Sequence, residues 1–276
     1  MDRRPYALIA VALTAALLSA QAAAATLSQR GQWALQSGTP QITSRMTVAT
    51  SAAATRLDIV QTMPGSAAPI GHYTIEQTKV MHLILVRDDF RQFNHLHPEL
   101  RGGHFTIPVA LAAGHRYYIY ADSKPAGLPQ QVFRFIAGAG VQPRTQQTPL
   151  SASNPVAPVG PYVVRLSATR VPAHRPATLY ATITRDGKLA ADIHPYLGAA
   201  AHIVLVNTST LTYAHVHPGG SHADMDMPMS APPDPVDPKI AMRLPPLGRH
   251  AAYKLWLQFQ GAGTVSVAPF TIVAAP

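Results

Sequence analysis

From Arg56 to Ile272 the chain alternates between short apolar runs, rich in β-branched and aromatic residues, and clusters of Pro, Gly, Asn and Asp. No segment sustains a helical period, so the pattern predicts strands throughout. In the first half they fall at 56–63, 80–86, 92–97, 104–109, 115–121 and 131–136. In the second they fall at 162–168, 177–184, 202–206, 212–217, 251–259 and 264–272. Between the two sets, 141–160 is rich in Pro, Gln, Ser and Ala and lacks apolar periodicity, which is linker composition. The expectation is an all-β chain with two tandem immunoglobulin-like β-sandwiches, at 26–140 and 161–276.

The two halves share more than strand spacing. His82 opens the apolar run LILV and is followed by His95-Leu96-His97-Pro98. His202 opens IVLV and is followed by His215-Val216-His217-Pro218, each position lying 120 residues after its counterpart. Leu111 to Gly114 before Tyr117 likewise resembles Leu247-Gly248 before Tyr253. A repeated motif on repeated strands predicts a duplicated domain carrying a duplicated site.

Placed on a hairpin, each triad becomes a geometric prediction. Residues 82–86 run up, 87–91 turn, and 92–97 return. Pairing 86 with 91 sets His82 opposite His95, and pairing 86 with 93 sets it opposite His97. In either register the three imidazoles share one face, because opposed residues and residues two apart on a strand point the same way. Opposed Cβ atoms start about 5 Å apart, a separation that two imidazoles reaching one ion at about 2 Å accommodate. Pro98 and Pro218 cannot donate to a ladder, so they end the strands and leave His97 and His217 toward a loop and solvent. The candidate metal ligands are His82, His95 and His97 in one domain and His202, His215 and His217 in the other. The plainer alternative is that these histidines hydrogen-bond to backbone at strand ends.

Composition narrows the chemistry. With no cysteine among 276 residues, thiolates are excluded as ligands and the sandwiches must be held by apolar cores. Residues 1–25 have an export-signal pattern: Arg3 and Arg4, an apolar stretch, then Ala23-x-Ala25. Periplasmic or secreted location is therefore expected, with no membrane span after cleavage. The net charge is +9, but Lys and Arg are dispersed, which argues against nucleic acid as a partner.

The second copy carries an addition. After Pro218 come His222, Asp224, Met225, Asp226, Met227 and Met229. Thioether sulfur favours Cu(I) and imidazole suits Cu(II), Zn and Ni, so copper is the metal that would use both, with zinc as the alternative. His222, Met225, Met227 and Met229 join the candidate ligands on that ground, although methionines at this spacing also cover apolar surface. His104 is a weaker candidate. His115 and His250 read as turn or strand-edge residues, and His72, His174 and His194 receive no role.

At MHLILVRDDFRQFNHLHPEL and YLGAAAHIVLVNTSTLTYAHVHP the chain resembles exported bacterial proteins with tandem His-x-His-Pro repeats, described as copper- or heavy-metal-associated. The resemblance implies export and a metal-linked role without fixing an activity. The leading expectation is a copper protein that sequesters the ion or passes it to another exported copper-handling protein, with roughly one ion per triad. A sandwich-type adhesion or assembly module with structural histidines is the alternative. A metal-dependent oxidase or hydrolase comes third, because Asp88, Asp89 and Glu99 have no acidic partner in the second copy and no nucleophile or phosphate-loop motif is present. An enzyme is accordingly not expected.

Overall fold

The structure, a computed structural model, describes residues 25–35, 38–51, 54–138, 151–218, 234–248 and 251–275. The N-terminal sandwich contains β1 (Ala25–Arg30), β2 (Gln32–Trp33), β3 (Thr43–Thr50), β4 (Thr55–Thr62), β5 (Met81–Arg87), β6 (Phe93–Leu96), β7 (Glu99–Arg101), β8 (His104–Val109), β9 (Tyr117–Ser123) and β10 (Gln131–Ala137). The C-terminal sandwich contains β11 (Val156–Val159), β12 (Tyr162–Leu166), β13 (Arg170–Pro172), β14 (Ala177–Arg185), β15 (Lys188–Leu189), β16 (Ile193–His194), β17 (His202–Asn207), β18 (Tyr213–Val216), β19 (Lys239–Leu244), β20 (Ala252–Gly261) and β21 (Thr264–Ala275).

In the first sandwich one sheet runs β1-β3-β4-β8-β7 and the other β2-β10-β9-β5-β6. Apart from the added β1 and β2, this is the A-B-E-D and G-F-C-C′ order of an immunoglobulin-type Greek key. The second repeats it, with β12-β14-β19 facing β21-β20-β17-β18. A tyrosine corner marks each copy: Tyr117 Oη accepts from Ala112 N at 3.0 Å and Tyr253 Oη accepts from Gly248 N at 2.8 Å. All twelve strands read from the apolar runs are present. Among the described residues, nine further strands, including the long β3 and β19, have no counterpart among the apolar runs. One boundary moves. Residues 156–159, assigned to the linker, form β11 and pair with β12, so the C-terminal sandwich starts before 161. Residues 141–150 of that linker lie outside the described residues, as does 1–24 of the leader.

The central strands explain how the two domains meet. The first six residues of β5 and all six of β17 are buried, which a sheet with one face in water does not produce. Leu83 and Leu85 point into the N-terminal core with Phe105 and Tyr117. Ile203 and Leu205 do the same in the C-terminal core. The alternate residues, Ile84, Val86, Val204 and Val206, join Tyr120, Tyr213 and Trp256 in a third apolar cluster between the domains. Two stacked pairs cross this interface, Phe93 on Trp256 at 4.9 Å and Tyr120 on Tyr213 at 5.0 Å. Phe93 and Tyr213 hold matching positions on β6 and β18, and Tyr120 and Trp256 on β9 and β20, so the pairs are reciprocal. An approximate two-fold relationship therefore exchanges the domains. Burial of each such aromatic contributes about 2–3 kcal/mol toward holding the two faces together.

Candidate metal centre

The register of the first hairpin is Val86 with Phe93 and Ile84 with His95. That is the second of the two registers considered, and it carries His97 opposite His82. The second hairpin matches, with Val206 on Tyr213 and Val204 on His215. His82 and His95 thus share the face of Ile84, and His202 and His215 share the face of Val204. That face looks into the interface between the domains. The two triads consequently converge on one place between the domains. Ring centroids of His82 lie 5.9 Å from His202 and 5.1 Å from His215. The ligating nitrogens of His82, His95, His202 and His215 all lie within 4.8 Å of one another.

The contacts to backbone carbonyls set two of the tautomers. His82 Nε2 faces the carbonyl oxygen of Glu76 at 3.0 Å, and His202 Nε2 faces that of Tyr196 at 3.0 Å. A carbonyl only accepts, so each Nε2 carries the proton and each Nδ1 a lone pair. His95 Nδ1 donates to Gln258 Oε1 at 2.7 Å, and His215 Nδ1 donates to Asp122 Oδ2 at 3.3 Å. With the protons on Nδ1, their Nε2 atoms carry lone pairs as well. These lone pairs face each other: His82 Nδ1 is 2.8 Å from His95 Nε2, and His202 Nδ1 is 3.1 Å from His215 Nε2. Outer N–H groups tied to oxygen acceptors, with inner nitrogens converging, is the arrangement of metal-bound histidine.

A cation between those nitrogens relieves the repulsion. A shared proton is one option, but burial opposes it. Desolvation pushes His82 down to about 4, against the hydrogen bond to Glu76 and with Lys79 repelling the charge. Desolvation, together with His217 and His82, takes His202 down to about 2. His95 and His215 are likewise held well below the ordinary histidine value, first by burial and then by neighbouring imidazoles. All four rings are at most 9% exposed. They stay neutral at neutral pH, which is the form that binds metal. A tetrahedron with nitrogens about 2.1 Å from its centre has edges of about 3.4 Å, close to the 2.8 and 3.1 Å of the two short pairs, so these four nitrogens could hold one ion with small adjustments.

The acceptors come from a symmetric pair of positions. Asp122 on β9 lies beside His82, and Gln258 on β20 lies beside His202. Each accepts from a histidine of the opposite domain. Asp122 is 3% exposed and also accepts from Gln130 Nε2 at 2.7 Å and Tyr213 Oη at 3.1 Å. Burial raises its carboxyl to about 7, against the hydrogen bonds from Gln130 and Tyr213 and with Glu76 adding repulsion.

Two tight turns supply the carbonyls. Glu76 and Lys79 close one two-residue hairpin and Tyr196 and Ala199 the other. Both central residues of each have positive φ: 46° and 66° at Gln77 and Thr78, 49° and 77° at Leu197 and Gly198. This is type I′ geometry, natural for Gly198 and strained for the β-branched Thr78. The turns meet across the interface, where the Gln77 side-chain amide reaches the carbonyls of Leu197 and Gly198 at 3.1 and 3.3 Å.

His97 and His217 are the outer members. Both are half-buried just past their strands. The His97 ring lies 5.1 Å from His82 and 4.8 Å from His95; the His217 ring lies 4.8 Å from His202 and 4.3 Å from His215. Three other histidines face carboxylates. His104 pairs with Asp58, His115 with Asp88 and His194 with Asp234. His222, Met225, Met227, Met229 and His250 lie outside the described residues. Asp122, Gln258 and the turn carbonyls were not among the residues that the sequence singled out.

A family model described as "Domain of unknown function (DUF8832)" matches residues 157–276, the C-terminal sandwich. No curated protein matches the chain. Among solved structures, the crystal structure of the FN1-FN3 domains of chicken CNTN1 is 9% identical, with 86% of this chain and 76% of that one covered and a TM-score of 0.20.

Proposed function

We propose that this protein is an exported metal-binding protein that holds one copper ion between its two domains, for sequestration or for transfer to another exported protein. The observation that carries the reading is the pair of lone-pair contacts, His82 Nδ1 to His95 Nε2 and His202 Nδ1 to His215 Nε2, with every outer nitrogen already donating to an oxygen acceptor. A binding role is favoured over catalysis because four nitrogens fill a tetrahedral ion, whereas catalytic sites keep a position open. Export is supported by the leader pattern at 1–25, and copper by the methionines that follow the second triad.

Zinc is the second reading, favoured by the closed four-nitrogen set. Metal analysis after purification from copper-supplemented and zinc-supplemented cultures decides: copper retained from both supports the proposal, and zinc retained from both replaces copper with a zinc clamp. A protein that retains neither ion, and whose melting is unmoved by either, returns the chain to the adhesion or assembly reading.

A further inference from the structure

We infer that His97 and His217 form an exchange pair that hands the ion between solvent and the buried tetrad. The inference rests on the four-histidine reading above and adds a path to it. The tetrad is sealed: its rings are 0 to 9% exposed, and its outer nitrogens are committed to Glu76, Tyr196, Gln258 and Asp122. An ion cannot reach such nitrogens with its water shell intact. It needs a ligand that replaces water one bond at a time.

His97 and His217 have the placement for this. They sit beyond the last residues of β6 and β18, released from the ladder by Pro98 and Pro218, and are half-buried where the tetrad is buried. Each ring contacts both tetrad histidines of its own domain at 4.3 to 5.1 Å. The His97 Nε2 atom is buried and makes no hydrogen bond, so one of its nitrogens is already desolvated beside the tetrad.

The step conserves charge and electrons. An aquated ion binds an outer imidazole as a water leaves. Tetrad nitrogens then replace the remaining waters one at a time, so that the ion is five-coordinate when four inner nitrogens and the outer imidazole hold it, and the outer imidazole departs last. Release runs the same way backwards, with a chelator or acceptor ligand replacing water.

Stopped-flow loading with Cu(II), and release from the loaded full-length chain into excess chelator, tests the inference. In the His97→Ala/His217→Ala variant both rates fall by roughly tenfold or more while stoichiometry and equilibrium affinity stay near wild type, because affinity is the ratio of the two rates. A His97→Gln/His217→Gln variant, which keeps the volume and polarity of the outer positions, gives the same result should the alanine pair fail to fold. Unchanged rates overturn the exchange pair and leave the tetrad standing. Loss of the ion overturns it differently, by making His97 and His217 holding ligands. Wild-type protein that takes up no ion overturns both the tetrad and the pair.

Discussion

Gln258 of the C-terminal sandwich accepts the Nδ1 proton of His95 in the N-terminal sandwich at 2.7 Å. The reciprocal contact runs from His215 to Asp122. Each domain therefore orients a ligand that the other domain supplies, and the site exists only when the domains are packed face to face. Replacing Gln258 with Leu removes the acceptor and leaves every histidine in place. Metal affinity is expected to fall about 10- to 100-fold, as for other losses of a histidine's supporting hydrogen bond. Isothermal titration measures it, and an unchanged affinity refutes the cross-domain support.

The interface that creates the site is apolar and aromatic. Trp256 is 2% exposed and stacks on Phe93 of the other domain. Trp256→Ala is expected to cost about 3–5 kcal/mol in urea unfolding of the metal-free protein and to lower metal affinity as well. A stability loss with intact affinity would show that the tetrad assembles without this packing.

Acid is expected to destabilise the metal-free protein. His82 titrates near 6.5 in the unfolded chain and about 4 in the folded one, so between those values only the unfolded state takes up the proton. The stability contributed by the neutral ring is fully present above pH 6.5 and is lost as the pH falls toward 4. Each histidine of this kind makes stability fall by up to about 1.4 kcal/mol per pH unit in that window. Chemical unfolding at a series of pH values checks this, with His82→Gln flattening the slope. A flat wild-type profile contradicts the neutral buried tetrad.

Thr78 occupies the left-handed region, with φ of 66°, in the turn that presents the Glu76 carbonyl to His82. A β-branched residue there costs about 1–3 kcal/mol, against about 0.5–1 kcal/mol for the extra freedom of glycine in the unfolded chain. Thr78→Gly is therefore expected to stabilise the protein by about 1 kcal/mol, read as a rise in melting temperature. A lower melting temperature would show that the threonine side chain compensates its backbone.

Much of this was legible in the residues. The alternation and turn signals located the central strands, and the repeated spacing identified the six histidines that cluster. The hairpin argument placed each triad on one face, with the proline position leaving His97 and His217 outermost. What spacing within one copy does not contain is the partner across the interface, since His82 and His202 are 120 residues apart and meet only through packing. A signal was nevertheless present: LILV and IVLV do not alternate, and a strand buried on both faces needs a second layer. Asp122 and Gln258 carry no motif, because their role follows from facing the opposite domain's histidine. Thr43 to Thr50 was missed because its apolar positions are sparse among polar ones.

The most direct test is the number of ions per chain. The full-length protein is saturated with Cu(II), freed of excess by gel filtration and analysed for metal and protein. A shared four-histidine centre predicts one ion per chain, lost on either His82→Ala or His202→Ala alone. Two ions per chain, with one lost in each variant, would contradict it.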